Sequence, residues 1–235
     1  MSISIPSIRQ QLRQLSTPEN AQSVRRFFKE ELVCYGVKTP QVNQLAKSYV
    51  KEIRNMEKAE VLALCNQLWE SGMHEEAIMA CTWSETLAKK MQPEDFAILE
   101  KWIKTNVSNW ASCDTLCNHT LADFVLRYPQ FILKLKEFAR SNNRWVRRAA
   151  AVTLIIPARR GHFLNDIFDI ADTLLTDPDD LVQKGYGWML KAASESHQAE
   201  VFGYVMRNKA TMPRTALRYA IEKMPAELKK LAMMK

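Results

Sequence analysis

Glycine and proline are scarce, with 6 Gly and 9 Pro in 235 residues. That scarcity excludes a collagenous or low-complexity chain and argues against a turn-rich all-β fold. No apolar run approaches the roughly 20 residues that span a bilayer. The opening Met1-Ser-Ile-Ser-Ile-Pro6 lacks a basic stretch followed by an apolar one, so no signal peptide is expected. Cysteine is limited to Cys34, Cys65, Cys81, Cys113 and Cys117. An odd count without a secretory signal predicts reduced thiols and a cytoplasmic protein. P-loop, GxGxxG and nucleophile-elbow motifs are all missing, which removes support for a kinase, helicase or common hydrolase.

What is present is ordinary for a folded protein: 47% hydrophobic and 25% charged residues. The net charge is +7, and it is uneven. Residues 1–139 carry a net of +1, whereas residues 140–235 carry +6. Between 140 and 160 stand six arginines (Arg140, Arg144, Arg147, Arg148, Arg159 and Arg160) and no acid. Such a field attracts polyanions, or it is a solvated face.

The hydrophobic pattern is helical nearly throughout. Helices are predicted near 5–15, 18–31, 40–53, 57–70, 73–91, 94–105, 110–127, 129–140, 143–157, 162–175, 179–195, 197–208, 213–223 and 226–233. Thr17-Pro18 and Thr39-Pro40 each read as a hydroxyl N-cap before proline in the first turn. Serial helices with short connections predict an all-α chain of stacked antiparallel pairs. The expected fold is a single domain over 1–235, a HEAT-like helical-repeat solenoid with a concave basic groove. A compact helical bundle is the alternative, since no motif recurs at fixed spacing.

Three helices carry more than core. Helix 110–127 has an apolar stripe of Cys113, Leu116, Cys117, Thr120, Leu121 and Phe124. Beside it Trp110 and Asp114 stand four apart, one turn from each other. Asp is a poor interior helix residue. It serves either a chemical role or a pairing with a neighbouring Arg or cap. In helix 179–195, Lys184, Trp188 and Lys191 share a line off the core stripe, a pattern suited to an anion with a flat face. Gly185 and Gly187 each cost about 1 kcal/mol relative to Ala in a helix, so close packing or close ligand approach is expected there. In helix 143–157, Arg144 and Arg148 flank a buried side of Trp145, Ala149, Val152 and Ile156, with Arg147 adjacent. Arginine's planar fork suits phosphate.

Cys113, Cys117 and His119 offer metal-ligand chemistry within seven residues. At about 100° per residue, however, His119 points away from Cys117, and no second cluster follows. No metal and no cofactor are expected. His74, His162 and His197 stand near helix starts and are expected at the surface. Met212, Met224, Met233 and Met234 read as gap-filling core and chain terminus.

Asn109-Trp110-Ala-Ser-Cys-Asp114, Asn143-Arg-Trp145-Val-Arg-Arg148-Ala-Ala and Gln183-Lys-Gly-Tyr-Gly-Trp188-Met-Leu-Lys191 together resemble the AlkD family of DNA alkylation repair glycosylases. Arg25-Arg-Phe-Phe-Lys29, Tyr35-Gly-Val-Lys-Thr-Pro40 and Arg214-Thr-Ala-Leu-Arg218 fit the same order along nearly the whole chain. The resemblance implies HEAT-like repeats around a DNA groove. It implies excision of cationic alkylpurines such as 3-methyladenine and 7-methylguanine from duplex DNA, without a base-flipping pocket. It also implies a catalytic Asp114, aromatic walls Trp110 and Trp188, and a groove arginine Arg148. Arg144, Arg147, Lys184, Lys191 and Phe27 are expected to add DNA contacts. Lys191 stands where relatives often carry Arg, and Phe27 where a Tyr can occur. The implied protein is a monomeric, nucleoid-associated enzyme with no membrane partner. The competing reading is a non-catalytic scaffold that binds structured DNA or a protein partner through the same basic surface.

Overall fold

The computed structural model describes residues 3–28 and 30–234. Lys29, part of the segment 25–29 and of the helix expected at 18–31, lies outside the described residues. Those residues are all-α: no strand occurs among them, and no helix is long and apolar enough to cross a membrane. The chain divides into two compact units, Met1–Leu116 and Cys117–Lys235. Within each unit, neighbouring helices pack in the serial pairs of a helical-repeat fold.

The first unit comprises α1 (Ile5–Leu15), α2 (Pro18–Phe27), α3 (Thr39–Ser48), α4 (Val50–Asn55), α5 (Lys58–Glu70), α6 (His74–Thr86), α7 (Phe96–Lys101) and α8 (Trp110–Leu116). α6 is its hub, packing on α3, α4, α5 and α8. Trp83 and Met79 of α6 are fully buried, and Trp83 Nε1 donates to the Ala46 carbonyl at 3.0 Å. Burying a large apolar side chain contributes about 1.5–3 kcal/mol relative to exposure.

Local chemistry sets several boundaries. Thr17 caps α2, its hydroxyl accepting from the Asn20 N–H at 3.2 Å. Thr39 does not cap α3. It is the first helical residue, Lys38 holds the cap position, and no side chain caps the turn. The helix expected at 18–31 ends at Phe27, where Phe28 turns extended with φ −93° and ψ 141°. Residues 31–38 then run without regular structure. Three of their backbone donors are met by Glu75 of α6, which is fully buried. Its carboxylate accepts N–H bonds from Tyr35 (3.0 Å), Gly36 (2.8 Å) and Val37 (3.0 Å). Gly36 has φ +92°, and a Cβ there would lie 2.6 Å from the Thr17 carbonyl oxygen, so glycine is required. The neighbouring buried Glu76 takes both Arg9 and the Tyr35 hydroxyl, at 3.0 and 2.6 Å. Burial, and next the Glu76 bond, push the Tyr35 phenol up to about 12.

The second unit comprises α9 (Ala122–Arg127), α10 (Ile132–Phe138), α11 (Arg144–Val152), α12 (Ile155–Arg159), α13 (Leu164–Thr173), α14 (Asp180–Ala193), α15 (Gln198–Asn208), α16 (Arg214–Ala220) and α17 (Ala226–Met233). α14 is its hub, against α11, α12, α13, α15 and α16. Its glycines serve close packing. A Cβ on Gly187 would lie 2.7 Å from the Tyr219 Cβ and 2.8 Å from the Ala216 carbonyl oxygen, so α14 and α16 touch at backbone range. A Cβ on Gly185 would meet Arg148 and Val152 at ordinary contact range, 3.4–3.6 Å. A π turn at Cys117–Leu121 precedes α9, so helix 110–127 is not uniformly α. Its predicted stripe from Cys113 to Phe124 is nevertheless fully buried.

Candidate nucleic-acid site

The three motif helices are each started by an Asn or Asp cap. Asn109, buried beneath the first turn of α8, accepts from the Ser112 N–H at 2.9 Å. Asn143 accepts from the Trp145 N–H at 2.9 Å and starts α11. Asp179 accepts from the Leu181 and Val182 N–H groups at 2.9 and 3.2 Å and starts α14.

The first unit holds Phe27, Trp110 and Asp114. Trp110 and Asp114 are both half-buried, one turn apart on α8. Trp110 packs on an aromatic group from the end of α2. Its ring lies 5.8 Å from Phe27 and 5.5 Å from Phe28, stacked on the latter with an interplanar angle of 28°. Phe28 in turn meets the His74 ring edge-on at 5.2 Å. Phe27 is 70% exposed, a large apolar face in solvent beside a half-buried Trp. Phe28, Leu32 and Cys34 form a small apolar cluster beneath, with Val24 and Ala111 at its edge.

A cavity of about 480 Å³ opens against these rings. Phe27, Phe28, Trp110, His74, Asn43 and Thr115 are among the residues lining it. His74 was expected at the surface and is 7% exposed instead. It stands at a helix start, as the sequence indicated, but its N–H is held by the Val33 carbonyl at 2.9 Å, which draws α6 under the 31–38 segment. Burial holds its imidazole below the ordinary histidine range, partly opposed by the Glu75 charge. Its Nδ1 is buried and has no hydrogen-bond partner.

The second unit holds Trp188 and the cationic candidates. Trp188 is half-buried on α14. The arginine-rich stretch is not a bare basic face, because the turn leading into α14 brings acids to it. Arg147 makes a two-pronged pair with Asp177 at 2.6 and 3.2 Å, and Arg144 pairs with Asp179 at 2.8 Å. Arg144 also lies over the Trp145 ring at 4.7 Å. Lys184 pairs with Asp180 at 2.6 Å. Lys191 pairs with Glu222 at 3.0 Å and sits over the Tyr219 ring at 5.5 Å. Arg148 is 5% exposed rather than on an open flank, and its guanidinium donates to the Leu181 carbonyl of α14. The signal for this pairing was the Asp177-Pro-Asp-Asp180 run, which composition within 140–160 could not register.

Cys113 and Cys117 are buried on the apolar stripe, whereas His119 is exposed. All five cysteines are free thiols and buried. Met212 and Met224 fill the core, and Met234 is 56% exposed.

Comparison with known proteins agrees with this architecture. No curated protein matches the sequence. A solved structure titled as a predicted DNA alkylation repair enzyme from Enterococcus faecalis is similar in fold, with a TM-score of 0.80 at 16% identity. The match covers 90% of this chain and 97% of that one. The family model for DNA alkylation repair enzymes matches residues 8–224. The chain therefore belongs to the DNA alkylation repair enzyme family, whose role is the repair of alkylated DNA.

Proposed function

We propose that the protein is a DNA glycosylase that excises N3- and N7-alkylpurines, such as 3-methyladenine and 7-methylguanine, from duplex DNA. One observation carries the reading: a carboxylate, Asp114, and an indole, Trp110, sit half-buried one turn apart on α8 in a chain of this family. Alkylation of a purine ring nitrogen makes the base cationic and a good leaving group, so little general-acid help is needed. As the glycosidic bond breaks, positive charge grows on the deoxyribose. A carboxylate stabilises that oxocarbenium ion and can orient water toward C1′. The π face of Trp110 favours the same developing cation, and Trp188 is an aromatic contact to the DNA in this reading. Phe27 offers an exposed ring to a sugar or base, without the hydroxyl a tyrosine would supply.

Arg144, Arg147, Lys184 and Lys191 contact the DNA backbone in this reading, each exchanging its carboxylate partner for a phosphate. Arg148, buried against α14, supports that surface and contributes its charge through the field. Both units act as one DNA-binding and glycosylase domain, as a monomer, close to the nucleoid.

The test is incubation with methylated duplex DNA, with released bases measured by mass spectrometry. The wild type should release 3-methyladenine or 7-methylguanine. Asp114→Asn should bind duplex normally and lose most excision, about 10²-fold or more. Undiminished excision by Asp114→Asn would remove the carboxylate from the reaction. Tight duplex binding without release by the wild type would instead favour a non-catalytic scaffold.

A further inference from the structure

Phe27 and Phe28 are adjacent in sequence and opposite in exposure, 70% and 8%. The end of α2 separates them. Phe28 leaves the helix with φ −93° and ψ 141°, and extended backbone sends successive side chains to opposite faces. One ring therefore faces solvent and the other enters the first unit. Phe28 is fixed there from several sides. Its N–H donates to the Val24 carbonyl at 3.4 Å, and Leu32 and Cys34 complete its apolar cluster. The His74 ring meets it edge-on at 5.2 Å. His74 is itself anchored: its N–H donates to the Val33 carbonyl at 2.9 Å, and the next residue, Glu75, accepts from the 35–37 backbone. On this fixed ring lies the Trp110 indole, 5.5 Å away and 28° from parallel.

Trp110 needs such a support. It is the first residue of α8 and only half-buried, so the backbone alone leaves its indole a choice of staggered rotamers. Asp114 stands one turn further along the same helix. We propose that Phe28 is a positioning residue for Trp110, holding the indole in one orientation so that Trp110 and Asp114 present a fixed pair to the DNA. Its part in excision rests on the glycosylase reading. At 8% exposure Phe28 is too covered to be a DNA contact, and it acts through Trp110 alone. An aromatic pair of this kind favours the stacked rotamer by roughly two- to twelvefold beyond simple burial.

The full chain labelled with 5-fluorotryptophan tests the contact, with the Trp110 fluorine signal assigned by its loss in Trp110→Phe. Phe28→Leu keeps an apolar side chain and removes the ring. Its Trp110 signal should shift or split, while the other tryptophan signals stay in place. Single-turnover excision from methylated duplex at saturating enzyme should slow about three- to tenfold, with duplex affinity unchanged. Phe28→Tyr, which keeps the ring, should restore both. In a Trp110→Ala background, Phe28→Leu should slow excision no further, an outcome that general loss of packing would not produce. Should Phe28→Leu fail to fold by circular dichroism, Phe28→Met is read in the same way. An unmoved Trp110 signal, or the same fold-loss of excision in the Trp110→Ala background, overturns the proposal. If the wild type releases no base, the glycosylase reading falls, and the fluorine signal still decides whether Phe28 holds Trp110.

Discussion

Glu75 and Glu76 stand next to each other in α6, both fully buried, and neither announces itself in the sequence beyond being acidic at a helix start. Each is satisfied by partners that lie 38 to 67 residues away in sequence. Glu75→Gln replaces one acceptor oxygen with a donor facing backbone N–H groups, so at least one of three bonds is lost. The expected cost is about 1–3 kcal/mol in urea denaturation; a change below the error of the measurement would mean the 35–37 backbone is held otherwise. His74 gives a pH signature. Its folded form resists protonation, while in the unfolded chain it titrates near the ordinary value of 6.5. Below that pH the unfolded state binds the extra proton, so the His74 contribution is present above pH 6.5 and lost as pH falls. Comparing wild type with His74→Gln between pH 7.5 and 5.5 should show a steeper loss of stability in the wild type. Parallel curves would place no titration at His74. Histidine burial was not legible, because position near a helix start says nothing about what packs over it.

At the level of the helix, the sequence was most informative in its stripes and least in its caps. The stripe from Cys113 to Phe124 is buried at every position named, whereas of the two caps read from sequence Thr17 caps α2 and Thr39 does not cap α3. Reading failed where distant residues decide. Helix α2 stops at Phe27 without a proline or glycine to stop it, and further on Glu75 holds the backbone at 35–37. The cost of the glycines in α14 did have a packing cause, and it differs between them. Gly187→Ala drives a methyl into the Tyr219 Cβ and the Ala216 backbone, and should destabilise by about 1–3 kcal/mol. Gly185→Ala meets the Arg148 stem at ordinary-to-tight range and should cost less. Thermal melts of the two variants check the order; equal melting temperatures would mean that α14 and α16 shift apart without penalty.

Across the whole molecule, the net charge of +7 was a sound reading of the composition but an incomplete guide to free positive charge. The arginines of α11 and the lysines of α14 meet acids contributed by the 177–180 turn, α14 itself and Glu222. Pairings between residues 30 or so apart are invisible to any local count. The residues proposed for the site stood out as motifs and as helix lines; the cavity, formed from α2, α3, α6 and α8, did not. Lys184, at the surface with Asp180, tests the proposed backbone contact. Lys184→Ala should leave folding nearly unchanged and lower the slope of log affinity against log salt by about one. An unaltered slope would put Lys184 outside the interface. The pairing of these cations also bears on how such a protein would search a genome. Each would trade an intramolecular anion for a phosphate, so each contact on intact duplex would gain little. Dwell time on any one undamaged stretch would then be short, and the enzyme would exchange rapidly among sites until a lesion supplied the additional hold.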